Sequence, residues 1–225
     1  ASLLGVALSP LFAAWIPIVL SGLHDDNARE RFPAISRYLV AVALFGSLCL
    51  TLFSTDVVSV LGLRDYARAT PYIGLLTYTY IFAAIGVPLS ANQVKLKKLG
   101  VLSFAVVLGA VVNMALNVLL IPPYGIWGAV IATAIGYGVP HGVTFLAARR
   151  AMGIPYPMRI VLAGVAGHLA LTLLWTAMPE LPLDWRLALK FASLMALGLW
   201  CVGVGLITRS ELRSFRILVS SRMRS

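Results

Sequence analysis

GVLSFAVVLGAVVNMALNVLLI, residues 100–121, is followed by a proline pair at 122–123 and then by YGIWGAVIATAIGYGVPHGVTFLA, residues 124–147. Both runs are almost wholly apolar, and neither alternates polar with apolar as a barrel strand would. At 1.5 Å per residue, about 20 residues of helix match the roughly 30 Å of a bilayer's hydrocarbon. Runs of the same kind recur near 3–21, 37–55, 70–91, 159–178 and 186–207, broken by charges and Pro/Gly turns. The reading is an all-α integral membrane protein with about seven transmembrane helices over residues 1–207 and a basic tail over 208–225.

Composition agrees. With 60% hydrophobic and 12% charged residues and a mean hydropathy of +0.92, the chain has too little polar surface to wrap a soluble globule of 225 residues. The bilayer is therefore its first partner. It begins at Ala1 inside an apolar segment without the charged flank of a signal peptide, so a fragment or C-terminal half is expected. Cys49 and Cys201 lie in apolar runs, where a thiol behaves as a small hydrophobe. Neither a disulfide, a metal site nor a cofactor is expected.

Basic residues orient the spans, because cytoplasmic loops collect Lys and Arg. One side holds Arg29, Arg31 and Arg37, then Lys95, Lys97 and Lys98, then Arg149, Arg150 and Arg159, then Arg209, Arg213, Arg216, Arg222 and Arg224. The other side keeps only Arg64, Arg68, Arg186 and Lys190, mixed with Asp56, Asp65, Glu180 and Asp184. A cytoplasmic C-terminus follows. The net charge of +10 is then topology spread over short loops, with no single basic face for a nucleic acid.

Polar groups inside the spans are the candidate functional residues. Gly109, Asn113 and Asn117 recur every fourth residue and share a helix face. An asparagine amide is costly in hydrocarbon, so this face points at other helices or at a watered cavity. Pro122 and Pro123 predict the end of the helix, with Gly125 free to take the positive φ of a sharp reversal. Gly128, Ala132 and Gly136 then form a small-residue ridge that lets a neighbouring backbone approach. On an adjacent face Thr133, Tyr137 and His141 stand four apart, either lining a polar path or, for His141, lying near the interface beside Arg149. In the third span Tyr78, Asn92 and Gln93 are candidates for a substrate path, and Pro88 predicts a kink. Asp56, after Ser54 and Thr55, reads as the cap of a short interfacial helix or as an ion-coupling carboxylate. His168 reads as a buried imidazole. No deep arginine or lysine is expected in any span.

The stretch Asn117-Val118-Leu119-Leu120-Ile121-Pro122-Pro123-Tyr124-Gly125-Ile126-Trp127-Gly128-Ala129-Val130-Ile131-Ala132-Thr133 resembles a motif of the Wzx-type polysaccharide and O-antigen flippases. These form a branch of the multidrug/oligosaccharidyl-lipid/polysaccharide exporter superfamily. Pro10 before the loop 25–37 and Tyr66-Ala67-Arg68-Ala69 at the third span extend the resemblance over nearly the whole chain. The resemblance implies the C-terminal lobe of a two-lobe, MATE-like transporter, with the N-terminal lobe as partner and a central cavity opening alternately to each side. It further implies a polyprenyl-diphosphate-linked oligosaccharide as cargo, moved across the bacterial inner membrane for O-antigen, capsule or exopolysaccharide assembly, and a polysaccharide polymerase as a further candidate partner. Rival readings are a multidrug antiporter or a peptidoglycan-precursor flippase of the same fold. A membrane polymerase or ligase would need a sizeable outer loop with acid/base residues, so no enzyme activity is expected.

Overall fold

A computed structural model of the chain describes residues 28–60, 62, 64–95, 97–151, 156–178 and 182–208. The expected span at 3–21 and the tail from 209 onward lie outside them. The described elements are helices, with no strand among the described residues. Six of them are long and apolar enough to cross a membrane: Phe32–Val60, Ala67–Ser90, Leu99–Tyr124, Ile126–Ala148, Met158–Thr176 and Asp184–Gly203. The chain forms two compact units, Ala1–Tyr156 and Pro157–Ser225.

In the first unit, α1 (Ala28–Val60) buries Val40, Leu44, Leu48 and Leu52, each four residues apart and so on one face. The helix is longer than the apolar run, taking in Arg29 and Arg31 at one end and Asp56 at the other. Asp56 therefore caps no new helix, contrary to the expectation. The Ser54 hydroxyl donates backward to Thr51 O at 3.1 Å, and Val57, Val58 and Val60 carry the ladder onward.

A 3-10 turn (Arg64–Ala69) leads into α2 (Thr70–Leu76) and α3 (Tyr78–Lys95). The interruption in this span falls at Thr77, whereas Pro88 sits inside α3 without breaking it. The cause is long-range: the buried Thr77 hydroxyl donates to Gly74 O at 2.7 Å and accepts from Ser47 Oγ of α1.

Helix α4 (Leu99–Tyr124) packs chiefly on α5 (Ile126–Ala151), and α5 also packs on α3. Pro122 and Pro123 do not end α4 but occupy its last turn. Loss of their N–H groups there deprives only carbonyls near the helix end, and Gly125 N donates to Ile121 O at 2.7 Å. The whole reversal is Gly125, at φ 55°, the backbone region expected for it.

The ends of these helices sort by charge. Phe32 at the start of α1, Leu89 late in α3 and Ala148 late in α5 form one buried cluster with Ile35, Ile85, Phe145 and Tyr156. This end carries Lys97 and Lys98. At the opposite end Tyr72 of α2 meets Trp127 of α5 edge-on, with ring centroids 4.8 Å apart. Helices α3 and α5 therefore run parallel, with α1 and α4 antiparallel to them.

The second unit contains α6 (Met158–Thr176) and α7 (Leu183–Gly203). The Trp200 indole N–H donates to Ala163 O at 2.8 Å, fixing the two helices antiparallel. Lys190 lies inside α7 and is 1% exposed, which corrects the expectation of a loop lysine and of spans without a deep cation.

Candidate functional site

The α4–α5 pair holds the largest share of the expected residues. Asn117 Nδ2 donates to Asn113 Oδ1 at 3.0 Å, half-buried, so one donor and one acceptor of the two amides satisfy each other. The opposite helix makes room for them. A Cβ placed on Gly136 would stand 2.6 Å from Asn113 Cβ and 3.0 Å from its Nδ2, and one on Gly109 would stand 2.6 Å from Pro140 Cγ and 2.7 Å from Gly136 O. A Cβ on Gly128 would collide with the Leu120 carbonyl. Ala132 is fully buried along the same ridge. Without a hydrophobic force between helices in lipid, close packing and hydrogen bonds hold such a pair.

Thr133, Tyr137 and His141 follow one another along the continuous α5, but their surroundings differ. The Thr133 hydroxyl bonds back to Ala129 O at 2.8 Å, Tyr137 is 55% exposed, and His141 is seated on Gly86 of α3, where a Cβ would overlap its Nδ1. The geometry makes His141 a contact between α5 and α3. Sequence reading missed Gly86, whose role appears only when its neighbour is known.

Tyr78 is buried and forms one wall of an open groove of about 380 Å³, with Leu75, Phe82, Ala134, Ile135, Gly138 and Val139. The groove is apolar apart from the tyrosine, and Phe82 packs 3.4 Å from where a Gly138 Cβ would stand. Gln93, near the basic end of α3, is fully buried, and neither amide atom has a hydrogen-bond partner. Asn92 precedes it on α3. A buried amide without partners is a costly group that a folded chain rarely retains. Lys97, at φ 56°, and Lys98 are exposed just beyond.

Tyr156 closes this basic end. Its ring lies edge-on to Phe32 and Phe145, with centroids at 6.4 and 6.0 Å, and its hydroxyl donates to Ile85 O at 3.3 Å. Burial raises its phenol above the ordinary value of 10.0, because a phenolate there would lose its hydration.

In the second unit, α6 buries Val161, Gly164, His168 and Thr172 on one face. On α7 the buried Lys190 has its Nζ 5.5 Å from the Trp175 ring centroid. Among the described residues no group of His, Cys, Asp or Glu could hold a metal ion, and both cysteines are free thiols.

Over 104 residues, 46% of this chain, the sequence is 31% identical to a protein of Haloferax volcanii described as a probable low-salt glycan biosynthesis flippase, Agl15. The match spans 21% of that protein's length. No protein-family model matches the chain, and no solved structure matches it.

Proposed function

We propose that the chain is part of a membrane flippase for lipid-linked glycans and carries out transport without covalent chemistry. The observation that carries this reading is the similarity to a glycan biosynthesis flippase, in a chain whose apolar helices are long enough to span a bilayer. The finer reading is a Wzx-type member of the exporter superfamily. Its cargo is an oligosaccharide on a polyprenyl diphosphate, moved from the cytoplasmic to the outer leaflet by alternating access against an N-terminal lobe. The setting is a bacterial inner membrane, with the C-terminus and the basic loops cytoplasmic.

Buried or half-buried polar groups, Gln93, Asn113 and Asn117 among them, support a path through a bundle in preference to a simple anchor. Such groups are tolerated in hydrocarbon where they face other helices or water. Tyr78, Asn92, Gln93, Asn113, Asn117, Thr133, Tyr137 and His141 remain the proposed path residues. Pro122, Gly125, Gly128, Ala132 and Gly136 shape the hairpin beside them. Gln93 is the first to test, since its amide has no partner in this conformation.

The experiment is deletion of the full-length parent gene in its own host, followed by measurement of lipid-linked oligosaccharide in each leaflet. Accumulation on the cytoplasmic leaflet with loss of surface glycan is the expected result. Normal glycan with raised sensitivity to cationic drugs would overturn the reading in favour of an antiporter.

A further inference from the structure

Gln93 stands in the last turn of α3. Its side chain is fully buried, and neither amide atom has a hydrogen-bond partner. Burying an amide forfeits its bonds to water, and only partners inside the protein make up that loss. A methionine would fill the same space without the cost.

The backbone of the same turn is closed in a costly way as well. Lys98 N–H donates to Gln93 O at 2.9 Å, and Lys97 N–H donates to Val94 O at 3.0 Å. Such a nested pair of bonds ends a helix through one left-handed residue, for which glycine is the usual choice. Here that residue is Lys97, at φ 56°, the one non-glycine residue at positive φ among the described residues. Its Cβ crowds the backbone in that region. An apolar contact commonly clasps a turn of this kind between the two residues of the outer bond. In this turn they are Gln93 and the exposed Lys98.

Two unfavourable features thus fall within five residues, and both belong to the closed turn. Unwinding it brings the Gln93 amide to the water around Lys97, Lys98, Leu99 and Gly100, all of them exposed, and lets Lys97 return to negative φ. What is given up is two backbone bonds, at a helix end where water replaces them. Helices α3 and α4 each pack on α5, so the connection between them can lengthen without undoing either packing.

We propose that the stretch from Gln93 to Lys98 is a conformational switch at the basic end of the first unit. Closed, it hides the Gln93 amide; open, it exposes the amide and lengthens the α3–α4 connection. The buried amide and the left-handed lysine hold the closed state close in free energy to the open one, which is how stored strain makes a segment bistable. The switch does not rest on the flippase reading, since it concerns the equilibrium of the turn alone.

The test is amide hydrogen exchange, resolved to single residues, on the full-length protein in phosphatidylcholine nanodiscs. Exchange at Lys97 and Lys98 reports opening, because these N–H groups close the turn. Gln93→Met keeps the bulk of the side chain and removes the amide, so exchange at both positions should slow by about tenfold. Lys97→Gly relieves the left-handed backbone and should slow it by about fivefold. Lys97→Ala keeps a Cβ there and should leave it within about twofold.

Unchanged or faster exchange in Gln93→Met overturns the switch. Failure of that variant to fold does the same, because the amide would then be supporting the closed turn. Equal slowing in Lys97→Ala and Lys97→Gly would trace the effect to the lysine's charge and overturns it likewise.

Discussion

The α4–α5 and α6–α7 pairs are antiparallel helix hairpins meant for the same solvent, yet they meet by opposite means. Along α4–α5 glycines remove side chains, so that Gly136 receives Asn113 and Gly128 lies against the Leu120 carbonyl. Along α6–α7 a large side chain bridges the gap: Trp200 lies over Gly167 and bonds Ala163 O. The polar groups differ in the same sense. The amides of the first pair bond each other, whereas the second buries a cation against an aromatic ring. Close backbones make a seam that tolerates little change. A side-chain bridge can adjust by a change of rotamer, which a backbone contact cannot.

The largest effect should come from breaking the first seam at a point where only backbone stands opposite. Gly128→Ala puts a methyl into the Leu120 carbonyl, and a stability loss of about 3 kcal/mol is expected, at the upper end for overpacking. The readout is the unfolding midpoint in mild detergent. Gly167→Ala in the second pair meets an indole that can rotate away, so about 1 kcal/mol is expected, and the loss should vanish in a Trp200→Leu background. Gly142→Ala, with nothing within 4 Å, is the control and should stay within about 0.5 kcal/mol. Equal losses at Gly128 and Gly167 would erase the distinction between the two hairpins.

The same distinction decides what could be read in advance. The α4–α5 seam was legible because its residues repeat every fourth position on each helix, and Gly125 because a one-residue reversal needs a positive φ. The break at Thr77 was not legible, since its partner Ser47 lies 30 residues away. Pro88 was the visible signal there, and it proved compatible with a continuous helix. Asp56 and Lys190 were misplaced for one shared reason. Hydropathy ends a span at a charge, while the hydrogen-bond ladder continues wherever backbone partners exist, so Asp56 fell outside a span that in fact contains it, and Lys190, within the expected span 186–207, was grouped with the charges of one side and not with its buried face. His141 against Gly86 and the orphaned amide of Gln93 are tertiary facts with no local signature.

A smaller effect concerns the basic end, where Tyr156 ties the first unit together. Its phenol is raised above the ordinary value by burial. The folded state therefore holds the proton more tightly than the unfolded chain, and stability from this group is complete below pH 10. It falls as pH rises from there toward the folded value, because only the unfolded state readily releases the proton. Unfolding midpoints measured between about pH 9 and 11 should decline in the wild type and decline less in Tyr156→Phe. Parallel slopes would mean that the ring, and not its hydroxyl, closes this end.

The smallest effect is the most informative about the amide pair. Hydrogen bonds between polar side chains in membrane proteins average about 0.6 kcal/mol in double-mutant cycles, because amides in the unfolded chain also find partners. Asn113→Leu and Asn117→Leu should therefore couple by about that amount and no more, while each substitution alone reduces glycan export if the pair lines a path. Asn113 is the more constrained of the two, since its Cβ already fills the space left by Gly136. Its leucine variant should lose stability by crowding as well as export. Asn117→Leu separates the effects: weak coupling with lost export means that the amides face cargo, and weak coupling with normal export means that they only join α4 to itself one turn on.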